Sequence, residues 1–147
     1  MTLSRTDLDQ RTKPPAGWPT WAITTPYVAA AHPQASHRVP LDDGANCQRY
    51  AYAVLELFGI TIAPHRSSEL WDDEHFTRVP RAEAHRLDLA LFNDTDTAWG
   101  AHLAIALSPD ELLHLCREEG YPAIWSWDDF AARRRYSHLV GLLRANL

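Results

Sequence analysis

The clearest hydrophobic pattern in the chain is a helical one that runs from Asn46 to Phe58. Positions 47, 50, 51, 54, 55 and 58 are apolar, and this spacing places them on one face of a helix. Asn46 is a favoured N-cap residue, and Gly59 is typical of the residue at which a helix stops. We therefore predict a helix over this segment, with Cys47 in its first turn.

Short apolar segments bounded by polar or turn residues mark the second half of the chain. They cover 87–92, 101–107 and 137–143, as expected for buried strands. A short helix is predicted over 126–136, because Ser126 suits the N-cap and the acidic residues that follow suit the first turn of a helix. A helix-rich half followed by several strands predicts an α+β fold with a mostly antiparallel sheet.

Proline and glycine divide the first third of the chain. Residues 1–20 are predicted to form an arm or short helix followed by a rigid connector, because the prolines concentrate near the end of this segment. Residues 21–147 are expected to form a single domain. Pro26 interrupts the apolar segment 21–31, so any helix there breaks or restarts at that residue. Residues 32–44 are predicted to form a loop.

Two predictions compete for the residues from Pro109 to Glu119. Residues 108–111 make a good helix start, with a capping box and a proline at the first helical position, and leucines follow them. The same four residues can form a tight turn between 101–107 and 112–116, which gives a β-hairpin instead. Local propensity alone favours the helix.

Composition and charge narrow the class of protein. The chain has 147 residues, of which 46% are hydrophobic and 22% charged, as expected for one soluble globular domain. Its net charge of −5 argues against a nucleic-acid partner, since such domains usually carry a basic face. No apolar run approaches the ~20 residues that span a bilayer, and the N-terminus lacks the apolar core of a secretory signal. We expect a cytoplasmic protein without a membrane partner, as a monomer or weak homo-oligomer.

The two cysteines, Cys47 and Cys116, are too few for a disulfide scaffold or a zinc knuckle. The chain also lacks CxxC and HxxxH spacings, so neither a metal nor another cofactor is expected. Cys116 is predicted to be a packed residue without a chemical role.

Cys47 has the clearest potential for chemistry. A cysteine at a helix N-terminus lies at the positive end of the helix dipole, and this position together with a nearby histidine lowers the pKa of a thiol. His102 and His114 are polar residues within apolar segments. In the hairpin they lie on adjacent strands, where a Cys-His-His relay becomes possible. The alternative is structural, with a packed core cysteine and histidines that are satisfied within the fold.

Other conspicuous side chains are interpreted structurally. The arginines 133–135 are most simply the solvated last turn of a helix, where cations suit the dipole, and binding of a nucleic acid or another anion is the less favoured alternative. Trp125 and Trp127 are predicted to lie in the core. Trp71 and Trp99 are the tryptophans better placed to form pocket edges, because loop residues surround them.

Several stretches of the chain, taken together, resemble the NlpC-type cell-wall cysteine peptidase family, a compact bacterial branch of papain-like enzymes. In chain order these stretches are Thr25-Pro26-Tyr27-Val28 followed by Cys47, Gly59-Ile60 with Pro64 and Arg66-Ser67-Ser68, Asp88-Leu89-Ala90-Leu91-Phe92, the strand from His102 to Leu107, and Leu113-His114. The resemblance covers residues 25–144. It implies a papain-like α+β fold in which N-terminal helices pack on a mostly antiparallel sheet.

The resemblance also implies roles for individual residues. Cys47 is expected to be the nucleophile at the helix N-terminus, His102 the general base and then the acid, and His114 the residue that orients His102. The backbone N–H of Cys47 would form part of an oxyanion hole, and Tyr27 would line the pocket beside the thiol. Because His114 must then lie on a strand, the resemblance favours the hairpin over the helix for 109–119.

Two residues beside the nucleophile depart from the family pattern. Many relatives have Asp before and Ser after the nucleophile, and these side chains hold the free amine of a stem peptide. Asn46 and Gln48 occupy the corresponding substrate-binding positions here, and Arg49 follows where a small residue is usual. A neutral pair holds a substrate ammonium less well than a carboxylate does.

The function implied by the resemblance is hydrolysis of an amide bond in a peptidoglycan stem peptide or a related bacterial peptide, through an acyl-thioester intermediate. Two alternatives stay open. An amidase or acyltransferase acting on another small molecule uses the same intermediate, and a non-catalytic descendant binds its ligand without cleaving it. The expected partner is therefore a peptide or a small-molecule amide.

Overall fold

The computed structural model describes residues 3–35 and 41–146, which contain five α-helices and six β-strands. The helices are α1 (Arg5–Asp9), α2 (Trp21–Thr24), α3 (Cys47–Glu56), α4 (Ser67–Trp71) and α5 (Trp127–Ala131). The strands are β1 (Phe76–Val79), β2 (Leu89–Asn93), β3 (His102–Ser108), β4 (Glu111–His114), β5 (Ala123–Trp125) and β6 (His138–Ala145). Four of the five helices precede the first strand.

The strands form one sheet in the order β1-β6-β2-β3-β4-β5. Each neighbouring pair is antiparallel. The last strand, β6, lies between β1 and β2 and pairs with both, so β3 occupies the interior of the sheet. The predicted α+β fold with a mostly antiparallel sheet is confirmed.

The segment from Pro109 to Glu119 takes part in a hairpin. β3 and β4 pair in antiparallel fashion, with Ile105 opposite Leu113. The helix that local propensity favours here is wrong, and the strand that the family resemblance implies is confirmed. Leu112 and Leu113 explain the outcome, because these consecutive residues are both fully buried in cores on opposite faces of the sheet. Only a strand directs consecutive side chains to opposite faces, so burial overrides helix propensity.

Both faces of the sheet are covered, and β2 shows how the strand alternation divides the core. Leu89 and Leu91 belong to the core that includes α3. Ala90 and Phe92 belong to the core that includes α5, where the ring of Phe92 stacks on Phe130 at a centroid distance of 4.0 Å. The sheet therefore lies between the N-terminal helices and α5.

The two predicted helices form, with shorter spans than expected. At the start of α3 the side-chain oxygen of Asn46 accepts the backbone N–H of Arg49 at 2.9 Å, as an N-cap residue should. The helix predicted over 126–136 divides into α5 and a 3-10 turn at Arg134–Tyr136. The division lies at Arg133, whose backbone is extended.

The N-terminal segment packs on the rest of the protein. Leu8 and Trp18 are buried in the core that includes α3, and Trp18 packs edge-on against Phe58 at 5.6 Å. The guanidinium of Arg11 also pairs with Glu111 at 2.8 Å. Residues 3–20 thus share the hydrophobic core of the residues that follow them.

The first third of the chain is otherwise irregular. α2 ends at Thr24, two residues before the predicted break at Pro26. The predicted loop 32–44 ends in a 3-10 turn at Leu41–Asp43, and its residues 36–40 lie outside the described part of the chain. Among the described helices, none has the length and apolar character needed to cross a membrane.

Candidate active site

Cys47 is the first residue of α3 and is half-buried. The chain directly before it is held by backbone hydrogen bonds to the segment around Tyr27, since Ala45 donates to Pro26 at 3.1 Å and accepts from Val28 at 2.9 Å. Gly44 permits this approach because its φ is +138° and a Cβ there would overlap the side chain of Val28. Tyr27 is thereby placed beside the start of α3.

His102 and His114 lie on adjacent strands and make direct contact. Nε2 of His102 is 2.9 Å from Nδ1 of His114, within hydrogen-bond distance. His102 is 9% exposed and His114 only 1% exposed. The prediction that the hairpin brings these two rings together is confirmed.

Aromatic side chains fix the orientation of both imidazoles. The ring of His114 packs against Trp125 and Phe130, at centroid distances of 4.2 Å and 4.7 Å. His102 packs against Tyr136 at 4.8 Å. The predicted burial of Trp125 in the core is confirmed, and its position explains why His114 has little freedom to rotate.

The hydrogen-bond pattern leaves one atom without a partner. Nε2 of His114 is buried and makes no hydrogen bond within the described part of the chain. If Nε2 of His102 carries a proton and donates it to Nδ1 of His114, the proton of His114 must be on that unpartnered Nε2. This tautomer pair leaves Nδ1 of His102 free to accept a proton from another group.

Cys47, His102 and Tyr27 line one cleft with a volume of about 220 Å³. The other residues that line this cleft are Asn46, Gln48, Arg66, Phe92, Asn93, Gly100, Ala101, Cys116, Arg117, Arg135 and Tyr136. His114 lies behind His102. The structure therefore brings the predicted nucleophile, base and pocket tyrosine to one concave surface, with the third polar residue supporting the base.

Asn46 and Gln48 line the cleft, but their amide groups are engaged within the protein. The amide nitrogen of Asn46 donates to Gln48 at 3.3 Å, and that of Gln48 donates to the Ser67 hydroxyl at 2.6 Å. Ser67 in turn donates to the carbonyl of Ala101 at 2.5 Å. This chain of hydrogen bonds ties the start of α3 to the residue that precedes His102.

Burial controls the protonation of the site. It raises the pKa of the Cys47 thiol to about 11, although the backbone N–H of Leu103 partly opposes the rise. Burial, assisted by the charge of Arg135, lowers the pKa of His102 to about 3, and burial also lowers the pKa of His114. The predicted lowering of the thiol pKa at the helix start is therefore wrong, because lost solvation outweighs the dipole. The resting site holds a neutral thiol beside neutral imidazoles.

The sequence interpretation missed several residues of the cleft. Arg135 faces the cleft, although the arginines 133–135 were interpreted as a solvated helical turn. Arg66 and Arg117 also line it, and nothing in their local sequence distinguishes them from surface arginines. Trp71 packs against Gly141 of β6 and does not line the cleft, whereas Trp99 is 76% exposed next to the lining residue Gly100.

The fold and the cleft define an α+β protein in which a cysteine and a histidine line the same cleft. A solved structure with this fold is the crystal structure of an NlpC/P60 family protein from Bacillus cereus ATCC 10987, at 1.79 Å resolution. The two structures superpose with a TM-score of 0.63 and 17% sequence identity. The match covers 100% of this chain but 42% of the other, so this chain spans less than half the length of that protein. The similarity establishes the NlpC-type fold.

Comparison by sequence adds nothing to this structural similarity. No protein-family model matches the chain, and no curated protein matches it.

Proposed function

We propose that the protein is a cysteine hydrolase that cleaves an amide bond through an acyl-thioester intermediate. The observation that carries the proposal is the shared cleft of Cys47 and His102, with His102 hydrogen-bonded to the buried His114 at 2.9 Å. A nucleophile, a base and a group that orients the base are the three parts that nucleophilic catalysis by a thiol requires. The NlpC-type fold supports the same reaction class.

The reaction starts from the neutral thiol. As Sγ of Cys47 forms a bond with the carbonyl carbon, the thiol proton passes to Nδ1 of His102, and the carbonyl oxygen becomes an oxyanion. The backbone N–H of Cys47 at the start of α3 donates to this oxygen. His114 accepts from Nε2–H of His102 and stabilises the imidazolium that forms.

The second half of the reaction regenerates the enzyme. The C–N bond of the amide breaks, and His102 returns its proton to the leaving amine. Water then attacks the thioester while His102 removes a proton from it, so that the acid is released and the Cys47 thiol is restored. The proposed substrate is a peptidoglycan stem peptide or a related bacterial peptide, in keeping with the NlpC-type fold.

Two substitutions test this proposal. Cys47→Ala removes the nucleophile and should abolish release of amine from muropeptides and model peptide amides, while the thermal unfolding temperature stays close to that of the wild type. His102→Ala removes the base and should lower kcat by on the order of 10²–10⁴. Cys116→Ala is the comparison variant: it deletes the other thiol of the cleft, which does not begin a helix, and should retain most of the rate that Cys47→Ala loses. Wild-type turnover by Cys47→Ala on any substrate that the native protein cleaves would contradict the proposal.

A further inference from the structure

The cleft that holds Cys47 is lined by three arginines and by no acidic side chain among the described residues. Arg66 precedes α4, Arg117 follows β4, and Arg135 lies in the 3-10 turn after α5. Arginines from three separate segments of the chain thus line one small cavity. Since the whole chain carries 14 basic and 19 acidic residues, this local excess of positive charge opposes the charge of the molecule.

Four arginines outside the cleft pair with carboxylates, whereas the three cleft arginines form no such ion pair within the described part of the chain. Arg11, Arg78, Arg133 and Arg144 pair with Glu111, Asp72, Glu118 and Asp88. The guanidinium groups of Arg66, Arg117 and Arg135 make no hydrogen bond or ion pair with any described residue. Arg117 only lies over the ring of Tyr27, at 5.7 Å from its centroid.

Two acidic side chains near the three arginines in sequence are engaged by other groups. Arg133 is two residues before Arg135 and pairs with Glu118 at 3.3 Å. Glu118 directly follows Arg117 but pairs with Arg133. Glu69, in the first turn of α4, interacts electrostatically with Arg66 and accepts its backbone N–H at 3.0 Å, but it does not line the cleft. The three cleft arginines are exposed and free to meet a ligand.

The positive charges act on the reacting groups. The charge of Arg66 favours the thiolate of Cys47, against the larger effect of burial on its pKa. The charge of Arg135 adds to burial in lowering the pKa of His102. An anionic group placed among the arginines would therefore lie within electrostatic reach of the scissile bond.

Among the described residues that line this cleft, none is a counter-ion for a substrate ammonium. The positions that flank the nucleophile are the neutral Asn46 and Gln48, and their amide groups are occupied by each other and by Ser67. An arginine fork, by contrast, binds carboxylate and phosphate oxygens with paired hydrogen bonds. The same cleft thus repels one type of substrate group and attracts the other.

We infer that the substrate presents an anionic oxygen group, a carboxylate or a phosphate, to Arg66, Arg117 and Arg135, and carries no ammonium group near the scissile amide. This inference rests on the proposed thiol chemistry and specifies its substrate class. The anion neutralises the cleft and holds the amide carbonyl over Sγ of Cys47.

Alkylation of Cys47 with charged and neutral reagents tests the inference without a known substrate. Iodoacetate and iodoacetamide form the same bond between Sγ and carbon with loss of iodide, and differ chiefly in charge. At neutral pH the rate ratio of iodoacetate to iodoacetamide at Cys47, followed by peptide mass mapping, should exceed the ratio for 2-mercaptoethanol by on the order of tenfold. Raising the ionic strength should reduce the excess.

Substitution of the arginines provides the controls. Arg66→Gln, Arg117→Gln and Arg135→Gln should each lower the ratio, and the triple variant should return it to the value for 2-mercaptoethanol. Arg134→Gln removes an exposed charge from the same turn as Arg135 but not from the cleft, so it should leave the ratio unchanged. Equal effects of Arg134→Gln and Arg135→Gln would contradict the inference.

Protection experiments identify the anion. Succinate and inorganic phosphate are each added during alkylation by iodoacetate, and slower labelling by either supports the inference and names the group. Protection by neither, or protection by the diamine putrescine, contradicts it. The rate ratio of iodoacetate to iodoacetamide at Cys47 could equal that of 2-mercaptoethanol while the reaction with iodoacetamide still depends on His102. That result would overturn the anionic substrate class but not the proposed thiol chemistry. Loss of that dependence on His102 would overturn the proposed thiol chemistry instead.

Discussion

At the scale of single residues, His114 is the buried side chain to which we assign a positioning role in the proposed reaction. It makes one hydrogen bond, to Nε2 of His102, and is enclosed by Trp125 and Phe130. In the proposed mechanism His102 donates Nε2–H across this contact, and this tautomer leaves its Nδ1 free for the thiol proton. The value of the contact should increase when His102 becomes an imidazolium.

Substitution of His114 tests this positioning role. His114→Ala should lower kcat on the order of 10²-fold with little change in KM, because the contact strengthens mainly as the imidazolium forms. His114→Asn keeps an acceptor oxygen for His102 and should preserve much of the rate. Steady-state kinetics of both variants, with thermal unfolding as a check on folding, provide the measurement. Equal losses in the two variants would mean that His114 only fills space.

The sequence predicts the position of a residue correctly where neighbouring residues determine it. Asn46 and the apolar spacing after it place Cys47 at a helix start without any knowledge of the fold. His114 required the family resemblance, since its own segment favours a helix. The sequence does not indicate that Arg66, Arg117 and Arg135 line one cleft, because these residues meet only after α4, β4 and α5 have packed.

At the scale of elements, β6 depends on a close approach to α4. Gly141 of β6 lies against Trp71 at the end of α4, and a Cβ on Gly141 would overlap the carbons of that indole ring. The sequence analysis expected Trp71 at a pocket edge, because a single sequence does not show which glycine faces a tryptophan. A single sequence also does not show that Leu112 and Leu113 are buried on opposite faces of the sheet, which is why local propensity favours a helix where the β3–β4 hairpin forms.

The contact between Gly141 and Trp71 leads to a stability prediction. Gly141→Ala should destabilise the protein by about 1–3 kcal/mol, because the added methyl group overpacks a rigid aromatic neighbour. Urea denaturation measures the change. In the Trp71→Leu background the same substitution should cost much less, since the overlapping ring atoms are gone. An equal cost in both backgrounds would show that backbone conformation, and not this contact, excludes a side chain at position 141.

At the scale of the whole molecule, two cores on opposite faces of one sheet bring the site together. α3 packs with the core on one face and carries Cys47, while the core on the other face surrounds His102 and His114 with aromatic rings. The α+β class, α3 and the strands near 87–92, 101–107 and 137–143 could be predicted from periodicity and resemblance, whereas α4, β1 and β5 were not predicted. The neutral resting state of the thiol could not be predicted, because it depends on how completely the two cores enclose the site.

In the proposed mechanism His102 acts as the base for Cys47, and the pH dependence of Cys47 alkylation tests this role. With the pKa of His102 lowered to about 3 and that of Cys47 raised to about 11, the pair stays neutral across the ordinary pH range. The rate constant for Cys47 with iodoacetamide should then be nearly independent of pH between roughly pH 4.5 and pH 8, since the neutral imidazole is present throughout. Cys116, which is buried, serves as the internal reference in the same mass spectrum.

The His102→Ala variant supplies the decisive comparison. Without the imidazole only the thiolate reacts, so the rate constant of Cys47 should fall below that of the wild type and rise about tenfold per pH unit. If His102 is the base, the rate constant of Cys47 alkylation is nearly independent of pH in the wild type and rises with pH in His102→Ala. Superimposable profiles, rising equally in both proteins, would contradict this role of His102.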